Sequence, residues 1–214
     1  METRRSSTRR IGLMGGTFDP IHIAHLIVAE EVYSALDLTE MVFIPAGHPP
    51  HKLDKTSTAP QHRLAMVELA IASNPHFSIS RVEVDRSGPS YLVETLRLLH
   101  KQWGPHIELS FVIGWDSLEE FSTWYDPAGI LALLTHLVAV RRPGYLEDVM
   151  YNKQLESRLP GITERLYVVS VPQLDISSTD LRRRVAQHRP ITYQTTEAVE
   201  HYIIEHELYQ RESS

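Results

Sequence analysis

Six short runs of branched and aromatic apolar residues alternate with longer segments in which apolar residues recur at helical spacing. That alternation constrains the fold most, because parallel strands need a crossover between them and a helix is the usual one. The predicted class is α/β: an open, mainly parallel sheet with helices on both faces and a small helical part at the C-terminal end. The strands are expected over 10–14, 41–44, 77–84, 107–113, 137–140 and 166–169. Helices are expected over 23–36, 61–72, 91–102, 146–159, 179–187 and 195–207, with short helical pieces between 117 and 134. Pro45 closes the second run and opens a loop over 46–60, about 15 residues without apolar period, a length that points to function.

At 214 residues the chain suits one domain, taken as 10–208, with a disordered basic leader over 1–9 and a tail over 209–214. Acidic residues outnumber basic ones by 27 to 21, a formal charge of -6, which argues against a broad electrostatic grip on nucleic acid. The absence of cysteine removes disulfides, thiolate metal sites and a cysteine nucleophile, in keeping with a reducing compartment. No apolar stretch reaches the roughly 18 residues of a membrane helix. No apolar region follows Arg4, Arg5, Arg9 and Arg10, so the leader does not read as a secretory signal, and the cytoplasm is the expected location.

The chemistry concentrates in two windows. The first is Gly15-Gly16-Thr17-Phe18-Asp19-Pro20-Ile21-His22-Ile23-Ala24-His25, between the first strand and the first helix. In an open parallel sheet ligands bind beyond the carboxyl ends of strands, where this window falls. Paired glycines admit a ligand close to the backbone, and a helix N-terminus offers donors and a positive dipole end to an anion such as phosphate. The spacing is neither the dinucleotide fingerprint nor a P-loop, which would carry a lysine after the glycines. His22 and His25, three apart, project to one side of the first turn and can both donate to phosphate; packing is the alternative for either alone. A second pair, His48 and His51, raises a zinc reading that the lack of cysteine makes the weaker one.

The second window is Asp175-Ile176-Ser177-Ser178-Thr179-Asp180-Leu181-Arg182, after the last strand. Ser177 with Asp180 matches a capping box, itself an adequate role. Three consecutive hydroxyls exceed what a cap needs. With Arg182 one turn further as a planar bidentate donor, they suggest a second phosphate-binding helix end and hence a polyphosphate ligand. Arg183 and Arg184 are expected to face solvent.

These windows resemble the His-x-Gly-His and Ile-Ser-Ser-Thr elements of the nucleotidyltransferase superfamily, in the same order along the chain. Further segments are similar to bacterial nicotinate-nucleotide adenylyltransferases: Phe43-Ile44-Pro45-Ala46, Pro49-Pro50-His51-Lys52, Ser90-Tyr91, Thr95-Leu96, Phe111 to Leu118, and Thr123-Trp124-Tyr125. The likeness runs from about residue 10 to 207. Ala24 stands where glycine is usual, Leu92 where threonine is common, and Trp115 where a small residue is usual.

The resemblance implies a Rossmann-like fold and transfer of AMP from ATP to nicotinate mononucleotide, releasing pyrophosphate. It implies catalytic roles for His22, His25, Lys52 and Arg182. ATP would be bound by Gly15, Gly16, Thr17, Phe18, Gly114, Asp116, Ile176, Ser177, Ser178 and Thr179 besides. Ser90, Tyr91, Leu92, Trp124 and Tyr125 would bind the mononucleotide. Mg²⁺ would accompany ATP, with Asp116 the one candidate protein ligand, although a helix cap is an adequate alternative for it. Arg141 and Arg142 are open between phosphate contact and exposure. Other phosphate acceptors, such as nicotinamide mononucleotide or pantetheine phosphate, and a non-catalytic nucleotide sensor remain alternatives, and a homo-oligomer is left open.

Overall fold

The computed structural model describes residues 8–47, 57–141 and 149–210. Among them six strands form one sheet: β1 (Arg9–Gly16), β2 (Glu40–Pro45), β3 (Phe77–Ile79), β4 (Ile107–Gly114), β5 (His136–Arg141) and β6 (Leu166–Ser170). All neighbouring strands pair parallel, in the order β3-β2-β1-β4-β5-β6. The strand order reverses between β1 and β4, the switch point at which an open α/β sheet leaves a crevice for ligand.

The inner strands β1, β2, β4 and β5 are buried on both faces, which is why each reads as a nearly continuous apolar run. Ile11 and Leu13 of β1, Val42 and Ile44 of β2, Leu109, Phe111 and Ile113 of β4, and Leu137 and Ala139 of β5 enter one core. Helices α3 (Leu92–Trp103), α4 (Trp115–Glu120), α5 (Pro127–Leu133), α6 (Val149–Arg158) and α7 (Ile162–Arg165) follow or border that face. Met14, Met41, Phe43, Val112 and Val138 point the other way. There they meet α1 (Ile23–Ala35), α2 (Pro60–Ile71), α8 (Ser178–Ala186) and α9 (Glu197–Glu205).

Four expectations need correction. The strand expected over 77–84 stops at Ile79, because the Asp85 N–H donates to the Arg81 carbonyl (2.9 Å) and the Arg81 guanidinium pairs with the Asp85 carboxylate, closing a turn. Arg9, placed in the leader, pairs with Ile107 in β1 and forms an ion pair with Glu40. The tail does not begin at 209, since the Tyr209 hydroxyl donates to Asp19 Oδ1 (2.7 Å). Arg184, expected to face solvent, is half-buried and pairs with Asp180 on the first turn of α8, whereas Arg183 pairs with the same carboxylate but stays exposed as expected. The short helix α7 carries no apolar period and was not foreseen. Lys52, His48, His51, Arg142 and most of the leader lie outside the described residues.

Candidate active site

The first window leaves the carboxyl end of β1 at the switch point. Gly15 and Gly16 serve packing as well as access: a Cβ on Gly15 would meet the Phe111 ring at 3.2 Å, and one on Gly16 the Phe18 ring at 2.9 Å. Phe18, expected among the ATP-binding residues, is instead buried, and its ring meets Phe43 and the edge of His25 (centroids 5.2 Å apart). It packs against the histidine.

His22 caps α1 and stacks on His25, ring centroids 3.7 Å apart. The His22 backbone N–H donates to His25 Nδ1 (3.2 Å), which puts the proton of a neutral His25 on Nε2. Three of the four N–H groups at this helix end are already used: His22 as just described, Ile23 with the Gln194 carbonyl (2.9 Å), and His25 with the His22 carbonyl (2.9 Å). The donors left for an anion are therefore chiefly the imidazoles, a departure from the expectation of a broad backbone cradle.

Burial lowers the His22 imidazole to a pKa of about 4; burial and the neighbouring His22 lower His25 to about 3. Both rings are then neutral at pH 7 and donate as uncharged N–H groups. The linkage has a definite sign. Each folded value lies below the unfolded value of 6.5, so the stabilisation is fully present above pH 6.5 and is lost as the pH falls toward 4 and then 3. Melting temperature should thus fall more steeply from pH 6.5 to 4.5 in the native chain than in a His22→Asn/His25→Asn variant; parallel curves would show that the rings are not held neutral.

The second window meets the first directly. Ser178 Oγ donates to the Pro20 carbonyl (2.8 Å) and the Arg182 guanidinium to the Asp19 carbonyl (2.6 Å). Thr195, which sequence reasoning missed, donates to the Ile21 carbonyl (2.9 Å). Three successive carbonyls of the loop are thereby turned toward the C-terminal part of the chain. Ser177 accepts from the Asp180 N–H (3.1 Å) as the cap of α8, and Thr179 accepts from Arg182. Ser177, Ser178 and Arg182 therefore already hold structure, in place of the unoccupied donor array the sequence suggested.

Two clefts flank this region. One, of about 620 Å³, is lined by Gly15, Gly16, Ser90, Tyr91, Leu92, Trp124 and Tyr125 among others, so it gathers all five residues assigned to the mononucleotide. Trp124 packs on Phe111 and Phe121, whereas Tyr125 is 58% exposed and stacks on Tyr91 with centroids 4.5 Å apart. Glu83 and Asp126 also line it and were not foreseen. Glu83 accepts from Thr95 (2.7 Å), and burial raises its pKa, partly offset by hydrogen bonds from Thr95 and Ser90.

The other cleft, of about 360 Å³, is lined by Ala24, Trp115, Asp116, Arg141 and the segment 171–174. Gly114, at the end of β4, is the cap of α4, so Asp116 lies within the first turn instead of capping it. Arg141 lines this cleft, while Ile176 packs against the core on the α1 face. The first window runs from one cleft, at Gly16, to the other, at Ala24. Among the described residues no group of three or more His, Cys, Asp or Glu side chains could hold a metal ion.

Comparison with known proteins places this arrangement. Residues 13–184 match the family model described as cytidylyltransferase-like. A Roseiflexus sp. (strain RS-1) protein named "Probable nicotinate-nucleotide adenylyltransferase" is 49% identical over 203 residues, 95% of this chain and 99% of the relative. The chain belongs to the nicotinate-nucleotide adenylyltransferase family. A Thermomicrobium roseum member of the family is 46% identical over 94% of this chain and 91% of its own length. The fold is also that of the Plasmodium falciparum nicotinic acid mononucleotide adenylyltransferase complexed with NaAD, with a TM-score of 0.72 at 20% identity over 94% of this chain and 97% of that one. No helix among the described residues is long and apolar enough to cross a membrane.

The buried Arg63 was missed altogether. It is 0% exposed and donates to the carbonyls of Thr58 (3.0 Å), Thr17 (2.8 Å) and Gly47 (3.3 Å). A signal existed: Arg63 begins the stripe continued by Met66, Val67, Ala70 and Ile71, so a charged residue occupies an apolar position.

Proposed function

We propose that the chain transfers the AMP moiety of ATP to nicotinate mononucleotide, giving nicotinate adenine dinucleotide and pyrophosphate, in NAD biosynthesis. The observation that carries this reading is the pair of clefts joined by the His22–His25 window, one of them aromatic and formed by the predicted mononucleotide residues. A phosphate oxygen of the mononucleotide attacks the α-phosphorus of ATP in line. The bond from that phosphorus to the bridging oxygen breaks, and pyrophosphate leaves with the electron pair. The nucleophile is already anionic, so no general base is required, and catalysis rests on positioning and charge stabilisation.

His25 donates from Nε2 to an α-phosphate oxygen and His22 to a neighbouring one. The α8 N-terminus, with Ile176, Ser177, Ser178 and Thr179, turns the positive end of a helix toward the triphosphate, while Arg182 fixes the loop it borders. Lys52 would neutralise the β and γ oxygens. Gly114 and Asp116 border the nucleoside. Asp116 offers one carboxylate beside the second cleft, and among the described residues it belongs to no group of three metal-binding side chains, a donor set suited to Mg²⁺ carried mainly by phosphate oxygens and water. When bound, that ion would offset the charge that builds on the phosphates.

The pyridine ring lies against Trp124 and Tyr125. The only charged side chains among the described residues lining that cleft are Glu83 and Asp126, so a carboxylate on the ring is met by neutral donors, backbone N–H groups and hydroxyls such as those of Ser90 and Thr123. Pyrophosphate release should require ATP with nicotinate mononucleotide and be slower with the nicotinamide and pantetheine phosphate acceptors; release with none of them would overturn the reading. Trp124→Ala should raise KM for the mononucleotide about tenfold and leave KM for ATP near the native value. Equal rises would remove Trp124 from the pyridine site.

A further inference from the structure

Asp19 is a buried acid in the phosphate-binding loop, 5% exposed, that is not among the residues lining either cleft and whose carboxylate meets a polar cluster. Its Oδ1 accepts from the Tyr209 hydroxyl (2.7 Å) and its Oδ2 from the Thr58 N–H (3.2 Å). Arg63, fully buried beside it, donates to Thr17 and so holds the same loop two residues earlier, while its other bonds reach Gly47 and Thr58. Tyr209 lies more than a hundred residues beyond Arg63 in the chain, just after α9, and its hydroxyl also lies 3.9 Å from the Met66 sulfur. Burial and the Asp19 carboxylate push the phenol's pKa up, so Tyr209 is a neutral donor at any working pH.

Four carbonyls, of Thr17, Asp19, Pro20 and Ile21, and the Asp19 carboxylate are thus held by Arg63, Arg182, Ser178, Thr195 and Tyr209. Ser178 and Arg182 belong to the window already assigned to phosphate. Arg63 and Tyr209 belong to no assigned site, and neither lines a cleft described above. What they share is the position of the peptide leading into His22 and His25. We propose that Asp19, Arg63 and Tyr209 form a positioning cluster that sets the phosphate-binding loop for adenylyl transfer, with the Tyr209 hydroxyl as its outermost member. This rests on the adenylyl-transfer reading. An error of about 1 Å in such a loop costs up to about a hundredfold in rate, so the loss of a single distant hydroxyl is measurable.

The cluster acts on the half of the site that holds phosphate, and the aromatic cleft is built from other elements. Tyr209→Phe should therefore lower kcat/KM for ATP by roughly tenfold while KM for the mononucleotide stays within about twofold of native. Assays are run well below the melting temperature and rates are expressed per folded chain. Tyr202→Phe is the control: it removes a hydroxyl from the same α2–α9 contact, where the Tyr202 hydroxyl bonds His62 of α2 at 2.9 Å. It should lower the melting temperature without moving either kinetic constant. Asp19→Asn keeps an acceptor for Tyr209 and should retain more activity than Asp19→Ala. If Tyr209→Phe behaves like the Tyr202 control, with a lower melting temperature and native kinetics, the cluster is structural only and the proposal fails. A native chain that releases no pyrophosphate at all refutes the functional reading instead, and the two failures are distinct.

Discussion

His25→Ala should lower kcat by about a hundredfold to a thousandfold while the circular dichroism spectrum stays near native. The size follows from what the ring does. Its Nδ1 is committed to the His22 N–H, its edge rests on Phe18, and only Nε2 remains to meet charge as it develops on the α-phosphate. Because burial keeps the ring neutral, it is positioned before substrate arrives and need not reorganise in the transition state. The fold survives because α1 is held from elsewhere: Ile23 bonds Gln194, and Ala29 and Val32 are buried in the core. His22→Ala should fall less, since no backbone N–H depends on its side chain in the same way. A His25→Ala enzyme within about fivefold of native kcat would remove His25 from the reaction.

Arg63→Met should destabilise the fold by about 3–5 kcal/mol, read from urea unfolding. Methionine fills much of the same volume, so the loss is mainly polar. The carbonyls of Thr17, Gly47 and Thr58 lose their donor, and the Asp19 carboxylate loses the adjacent positive charge. Each buried acceptor left unpaired costs roughly 1–3 kcal/mol, and water reaches none of them easily with Arg63 fully enclosed. A cost under about 1 kcal/mol would mean that the pocket rearranges or admits water after substitution.

The sheet was legible because parallel strands buried on both faces leave an unmistakable trace: Ile11 to Met14, Met41 to Ile44 and Phe111 to Ile113 lack polar side chains and do not alternate. The edge strand was less so. Among the described residues β3 has a neighbour on one side only, and the turn that follows it is closed by an ion pair between Arg81 and Asp85 that the apolar pattern does not show. The two windows could be read from spacing, and their mutual contact through Ser178 and Arg182 follows the expected convergence. What spacing could not supply is which donors are already engaged. Ser178 looks the same in sequence whether its hydroxyl meets phosphate or the Pro20 carbonyl, and Arg63, although its place on the apolar stripe of α2 marks it as buried, gives no sign in sequence of the carbonyls it holds.

The sheet order also bears on how the chain is made. β1 sits between β2 and β4, so a nascent polypeptide that has emerged only through β3 presents one side of its central strand bare, with apolar residues on both faces. Until β4 leaves the ribosome that side is a template for pairing with another chain. Slow translation between 80 and 114 would lengthen this interval, and chaperone demand during synthesis should be greatest there.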